Sequence, residues 1–106
     1  MTKRFESLRT QIEQIAVGSM GLVKKRSRFS DVPALWFRGA EIAHFEKNVV
    51  DIRLTSNGIR RLRPEHRARA KSIRKDWVAI SLTESTLDLI IDWIKVAREM
   101  NAWRSF

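Results

Sequence analysis

His44, Glu46, Asp51 and Arg53 are the residues whose types and spacing can do chemistry in this chain. His44 and Glu46 stand two apart, the spacing that puts two side chains on one face of a β-strand, and Asp51 and Arg53 repeat it. A histidine facing a carboxylate is an oriented proton carrier, because the carboxylate fixes the tautomer and stabilises the imidazolium. His44 with Asp51 is therefore a candidate catalytic pair. His44, Glu46 and Asp51 are also a candidate ligand set for a divalent metal. The plain alternative is the wet face of an antiparallel sheet, where cross-strand charge pairs contribute roughly 0.2–1 kcal/mol each. The pattern alone favours that alternative. His-x-Glu also occurs in zinc deaminases, but those need cysteine ligands and this chain has none.

These residues belong to the stretch 35–54, LWFRGAEIAHFEKNVVDIRL, which alternates apolar and polar residues around two possible reversals. Strands are expected at 35–38, 41–46 and 49–54, joined by tight turns at Gly39-Ala40 and Lys47-Asn48. A two-residue loop at Lys47-Asn48 sets Glu46 opposite Val49, Phe45 opposite Val50, His44 opposite Asp51 and Ala43 opposite Ile52. Ala43, Phe45, Val50, Ile52 and Leu54 then make a core face. His44, Glu46, Asp51 and Arg53 make the other, with Ile42 and Val49 as apolar exceptions. A one-residue slip exchanges the faces, so the apolar set specifies the register.

Helices must cover that core face. Phe5, Leu8, Ile12, Ile15 and Ala16 repeat at helical spacing over 3–17, with Thr2 as a cap and Gly18 as the stop. The linker GSMGLVKKRSRFSDVP reads as a loop that can include a short strand at 22–26. Thr55-Ser56-Asn57 offers a cap for a short helix carrying Ile59 and Leu62, and Pro64 ends or restarts it. Residues 66–75 are too basic for the interior, and 77–82 alternates as a further strand. The last helix is capped by Thr83 or by Ser85, with Ser85 and Asp88 spaced as a capping box. Leu87, Ile90, Ile91, Ile94 and Ala97 form its apolar stripe, broadened by Leu89, Trp93, Val96 and Met100. Trp103 and Phe106 follow, as a completion of the core or a docking end for a partner. The expected architecture is a single α+β domain over 1–106. It has an N-terminal helix, a mostly antiparallel sheet of about four strands (a β-meander plus one) and a long C-terminal helix packed on one face.

The net charge of +9 is uneven. Residues 53–75 carry +8, residues 24–28 carry +4, and the rest of the chain carries −3. The basic set is Lys24, Lys25, Arg26 and Arg28, then Arg60, Arg61, Arg63, Arg67, Arg69, Lys71, Arg74 and Lys75. Arginine forks suit phosphate pairs, so an anionic partner is expected, nucleic acid first. Binding of this kind is sequence-neutral and salt-dependent, and no base-reading helix stands out. With no cysteine there are no disulfides, thiolate nucleophiles or cysteine-ligated zinc. No apolar run is long enough to cross a membrane and no secretory leader is visible, so a cytoplasmic protein is expected. No cofactor is expected.

The run FRGAEIAHFEKNVVDIRLT, a basic linker, a W-V-x-I-x-L strand and an acidic-apolar helix together resemble the small bacterial "luciferase domain" family. The matching residues are Gly39, Glu41, Ile42, Ala43, His44, Phe45, Asp51, Ile52, Leu54, Trp77 and Val78. Where that family often has a second histidine this chain has Glu46, which removes the basis for a histidine pair. The resemblance implies the α+β layout and brings no established activity. Element order and the W-V strand are also similar to the YjbR-like "double wing" layout, described as DNA-binding. The preferred reading is a non-enzymatic binding domain. The alternatives are a small enzyme or metal-binding protein using His44, Glu46 and Asp51, and a subunit or homodimer joined through the C-terminal tail.

Overall fold

The computed structural model describes residues 2–102, so Trp103 and Phe106 lie outside the described residues. Helix α1 (Thr2–Met20) leads into β1 (Val23–Arg26), β2 (Pro33–Phe37), β3 (Ala40–Glu46) and β4 (Val49–Arg53). Two short helices follow, α2 (Thr55–Arg60) and α3 (Pro64–Arg67), then β5 (Ser72–Arg74) and β6 (Trp77–Ser81). A 3-10 turn (Glu84–Thr86) opens onto the long α4 (Leu87–Ala102). The α+β class is as expected, but the sheet has six strands rather than four, in the order β1-β2-β3-β4-β6-β5. The two added strands are the edges. They are short and charged, and β1 is exposed throughout, so neither shows the apolar alternation that marks an inner strand.

All neighbours pair antiparallel. The β3–β4 register is the one the apolar pattern specifies, with His44 opposite Asp51 and Phe45 opposite Val50. Three two-residue turns close hairpins at Arg38-Gly39, Lys47-Asn48 and Lys75-Asp76. Their first residues all take left-handed φ, at 51°, 56° and 51°. The first reversal is therefore at Arg38-Gly39, one residue earlier than expected. Positive φ at both central positions suits the mirror-image turn that matches strand twist, and Gly39 (φ 81°) takes the second position.

Helices α1 and α4 pack on one face of the sheet, where Leu35, Phe37, Ala43, Phe45, Val50, Ile52, Val78 and Ile80 meet Leu8, Ile12, Ile90 and Ile94. Helix α1 continues through Gly18 and ends at Gly21 (φ 71°), where Leu22 N–H donates to the Ala16 carbonyl at 3.1 Å. Gly18 is exposed and helical, so nothing at that position demands a stop. The first turn of α2 is capped in part by its own Thr55, whose Oγ1 accepts from Gly58 N–H at 3.4 Å, and in part by Asp76. Thr55 N–H donates to the Asp76 carbonyl at 2.9 Å, and Ser56 N–H donates to the Asp76 carboxylate at 3.0 Å. Pro64 does restart a helix at its first position. The capping box before α4 is Thr83 with Thr86, each hydroxyl accepting from the other's backbone N–H, in place of Ser85 with Asp88. Among the described residues no helix is long and apolar enough to cross a membrane.

Candidate functional site

The face of the sheet away from the helices carries His44, Asp51, Trp77 and Trp36, and β3 departs from regular alternation there. Between Leu35 and Trp36 the β2–β3 register shifts: Leu35 pairs with Ala43, whereas Trp36 pairs with Glu41. One extra residue in β3, Ile42, is accommodated by this β-bulge. Ile42 and Ala43 both enter the core, and Glu41 turns to the same side as His44. Residues three apart on a regular strand point to opposite faces, so without the bulge these two side chains could not meet.

Glu41 is only 2% exposed and fully occupied. Its Oε2 accepts from Ser27 Oγ at 2.6 Å and lies 2.9 Å from His44 Nδ1, and its Oε1 accepts from Arg28 N–H at 2.8 Å. On the far side of the ring, His44 Nε2 lies 3.0 Å from Asp51 Oδ2. A carboxylate only accepts, so both contacts are hydrogen bonds when both ring nitrogens carry protons. The titration of His44 follows. Burial pushes its pKa down, but the hydrogen bonds and charges of Asp51 and Glu41 outweigh this and raise it above 6.5.

An aromatic cluster frames the imidazole. Phe29, from the β1–β2 connection, sits 6.0 Å from the His44 ring and meets Trp77 edge-on at 5.8 Å; His44 and Trp77 are 5.2 Å apart. Phe29 is nevertheless 63% exposed. Beside the cluster lies a cleft of about 470 Å³ that His44, Asp51 and Glu46 share with Arg74, Lys75 and Trp77. Ligating atoms of His44, Glu46 and Asp51 lie within 4.8 Å of one another, so this triad could hold a metal ion. Arg53, on the same face, lies beside Asp76, 3.9 Å between Nη2 and Oδ2.

The basic residues do not form one patch. Lys24, Lys25 and Arg26 lie on edge strand β1 and Arg74 on edge strand β5, while Arg60, Arg61, Arg63 and Arg67 belong to the α2–α3 segment, where α2 packs against α4. Along β1, Lys24 pairs with Glu13 at 3.3 Å, and Arg26 with Asp31 at 3.4 Å. Lys25 and Arg28 lie over the Trp36 ring, at 5.4 and 5.2 Å from its centroid. In the segment from α2 to β5, Arg60 bonds to Asn57, Arg63 pairs with Glu65 at 3.3 Å, and Arg69 donates to the Ser85 carbonyl at 3.0 Å. Arg61, Arg67 and Lys71 are exposed. Only Arg74 and Lys75 of the twelve reach the cleft beside His44. Glu41, Ser27 and Phe29 were not among the expected site residues. One signal for Glu41 was present: Ile42 was the misfit on the polar face, and an apolar Ile42-Ala43 pair within an alternating strand marks a bulge.

The chain matches no family model, no curated protein and no solved structure.

Proposed function

We propose that this is a non-enzymatic binding domain whose uncovered sheet face receives an anionic partner, single-stranded nucleic acid first. The observation that carries the reading is the aromatic–basic composition of that face. Phe29 is held against Trp77 and His44 with most of its surface in solvent, Arg74 and Lys75 flank it, and Lys25 and Arg28 crown Trp36. Bases stack on such rings without regard to sequence, at roughly 1–3 kcal/mol each, while cations follow the backbone. Both margins of the face are basic. Five inter-strand steps separate them by about 24 Å, a span that several nucleotides of an extended strand can cross.

Membership of the luciferase-domain family and a cytoplasmic location belong to the same proposal. Support for the first is that Glu41, Asp51 and Trp77 all meet His44, all four being residues of that resemblance. The test is fluorescence anisotropy with a labelled mixed-sequence single strand and the matching duplex, over a series of salt concentrations. The single strand binds more tightly, with log affinity falling at about −0.7 per phosphate contact in log salt. Phe29→Ala weakens binding roughly tenfold, and Arg74→Ala with Lys75→Ala flattens the salt slope. Absence of binding at low salt, or equal binding by Phe29→Ala, rejects the reading.

A further inference from the structure

We propose that His44, Glu46 and Asp51 form a site for a first-row divalent cation, with Glu41 as the residue that positions the imidazole. Three features of the geometry converge. First, His44 Nε2 and Asp51 Oδ2 are 3.0 Å apart. Two adjacent donors each about 2.1 Å from one ion stand at about that separation. An ion can therefore take the place of the proton between them with little movement of either side chain. Glu46 is exposed and two residues along β3 on the same side, so its carboxylate is free to swing in as the third donor.

Second, the other ring nitrogen is already committed. Metal-binding histidines characteristically donate their remaining N–H to a carboxylate, which fixes the ring and makes the ligating nitrogen more basic. Glu41 does this for Nδ1 at 2.9 Å, and is itself locked by Ser27 Oγ and Arg28 N–H. Glu41 is not one of the three donors. The register shift at Leu35/Trp36 is what brings it to this side. A merely solvated sheet face gives no reason to bury a carboxylate behind the only histidine there.

Third, charge and space agree. Three carboxylates surround one imidazole at the centre of a face whose margins are basic, and a cation offsets that excess. The adjoining cleft of about 470 Å³ leaves room for water or an anionic ligand at the remaining coordination positions. Imidazole with two carboxylates and no thiolate selects ions of the Zn²⁺ or Mn²⁺ type over softer ones.

The inference does not rest on nucleic-acid binding, and its readout is separate. Metal-free full-length protein is titrated with Co²⁺ while its visible absorption is followed, then back-titrated with Zn²⁺. One Co²⁺ binds per chain, with d–d bands that Zn²⁺ abolishes. Asp51→Asn and His44→Ala each abolish the bands, and Glu46→Gln weakens binding at least tenfold. Glu41→Gln weakens it about 10- to 100-fold while the bands keep their position, because Glu41 touches the ligand and not the ion. Glu65→Gln, far from the cleft, changes nothing. A titration without d–d bands overturns the proposal, as does saturable binding that survives Asp51→Asn. Unchanged affinity in Glu41→Gln overturns the positioning role.

Discussion

Glu41 and His44 are three residues apart on one strand, yet their side chains meet on one face, with Oε2 2.9 Å from Nδ1. That contact exists only because β3 contains one residue more than its partner between Leu35 and Trp36. The bulge both satisfies the core, by admitting Ile42 beside Ala43, and assembles the buried half of the cleft. Its energetic weight can be measured directly. Glu41→Gln leaves donors of Ser27 and His44 facing an amide and destabilises the protein by about 2 kcal/mol. Ser27→Ala removes one bond onto the carboxylate and costs about 1 kcal/mol. Urea unfolding of both variants checks this, and a Glu41→Gln midpoint equal to wild type would sink it.

The protonation of His44 makes stability depend on pH in a defined direction. Its pKa is raised in the folded state, so the stabilisation is fully present below about pH 6.5 and is lost as pH rises through the folded value. Thermal melts in the presence of chelator should therefore fall as pH is stepped upward from 6.5. Asp51→Asn removes the carboxylate that raises the His44 pKa most and lowers the His44 titration, read from its ring signals by NMR. If Asp51→Asn keeps the wild-type slope, the flanking carboxylates are not the cause.

Asn101 is fully buried where α4 crosses the sheet. Its amide N–H groups donate to the Arg53 carbonyl at 2.9 Å and the Ala97 carbonyl at 2.7 Å, tying the helix to the end of β4. Asn101→Ala removes the bonds onto the Arg53 and Ala97 carbonyls and leaves a small void, at a cost of about 2 kcal/mol. Chemical denaturation gives the value; a loss below about 0.5 kcal/mol, the range of neutral surface changes, would show that water takes the place of the amide.

Lys47 adopts φ 56° at an exposed hairpin turn, a conformation that costs a lysine more than an asparagine. Lys47→Asn is expected to stabilise the fold by about 0.5 kcal/mol. A small rise in melting temperature with unchanged circular dichroism is the outcome to look for, and a fall would mean the lysine side chain contributes more than the turn.

Much of this structure was legible because local pattern and tertiary environment agree. Val50, Ile52 and Leu54 alternate, Lys47-Asn48 can turn, and the pairing of His44 with Asp51 follows. What was not legible depends on partners distant in sequence. The second half of the α2 cap is Asp76, twenty residues from Ser56. Strand β1 falls within the 22–26 segment where the sequence allows a short strand, whereas β5 exists because β6 offers it a free edge; the SIR segment has no apolar face of its own. Glu41 was hidden by the assumption of unbroken alternation, which the chain violates at the point where the cleft is built. Gly18 misled for a related reason: a glycine permits a left-handed stop without requiring one, and the chain waits until Gly21.

The basic margins have a consequence that concerns copies of the chain more than ligands. An open sheet of six strands ends in two rows of unpaired backbone groups, each a template on which another sheet could grow. Here those rows are only four and three residues long, and they are studded with Lys24, Lys25, Arg26 and Arg74. Two molecules approaching edge to edge must bring like charges within a few ångströms before any backbone bond forms. The cations along both margins thus tell the sheet where to stop.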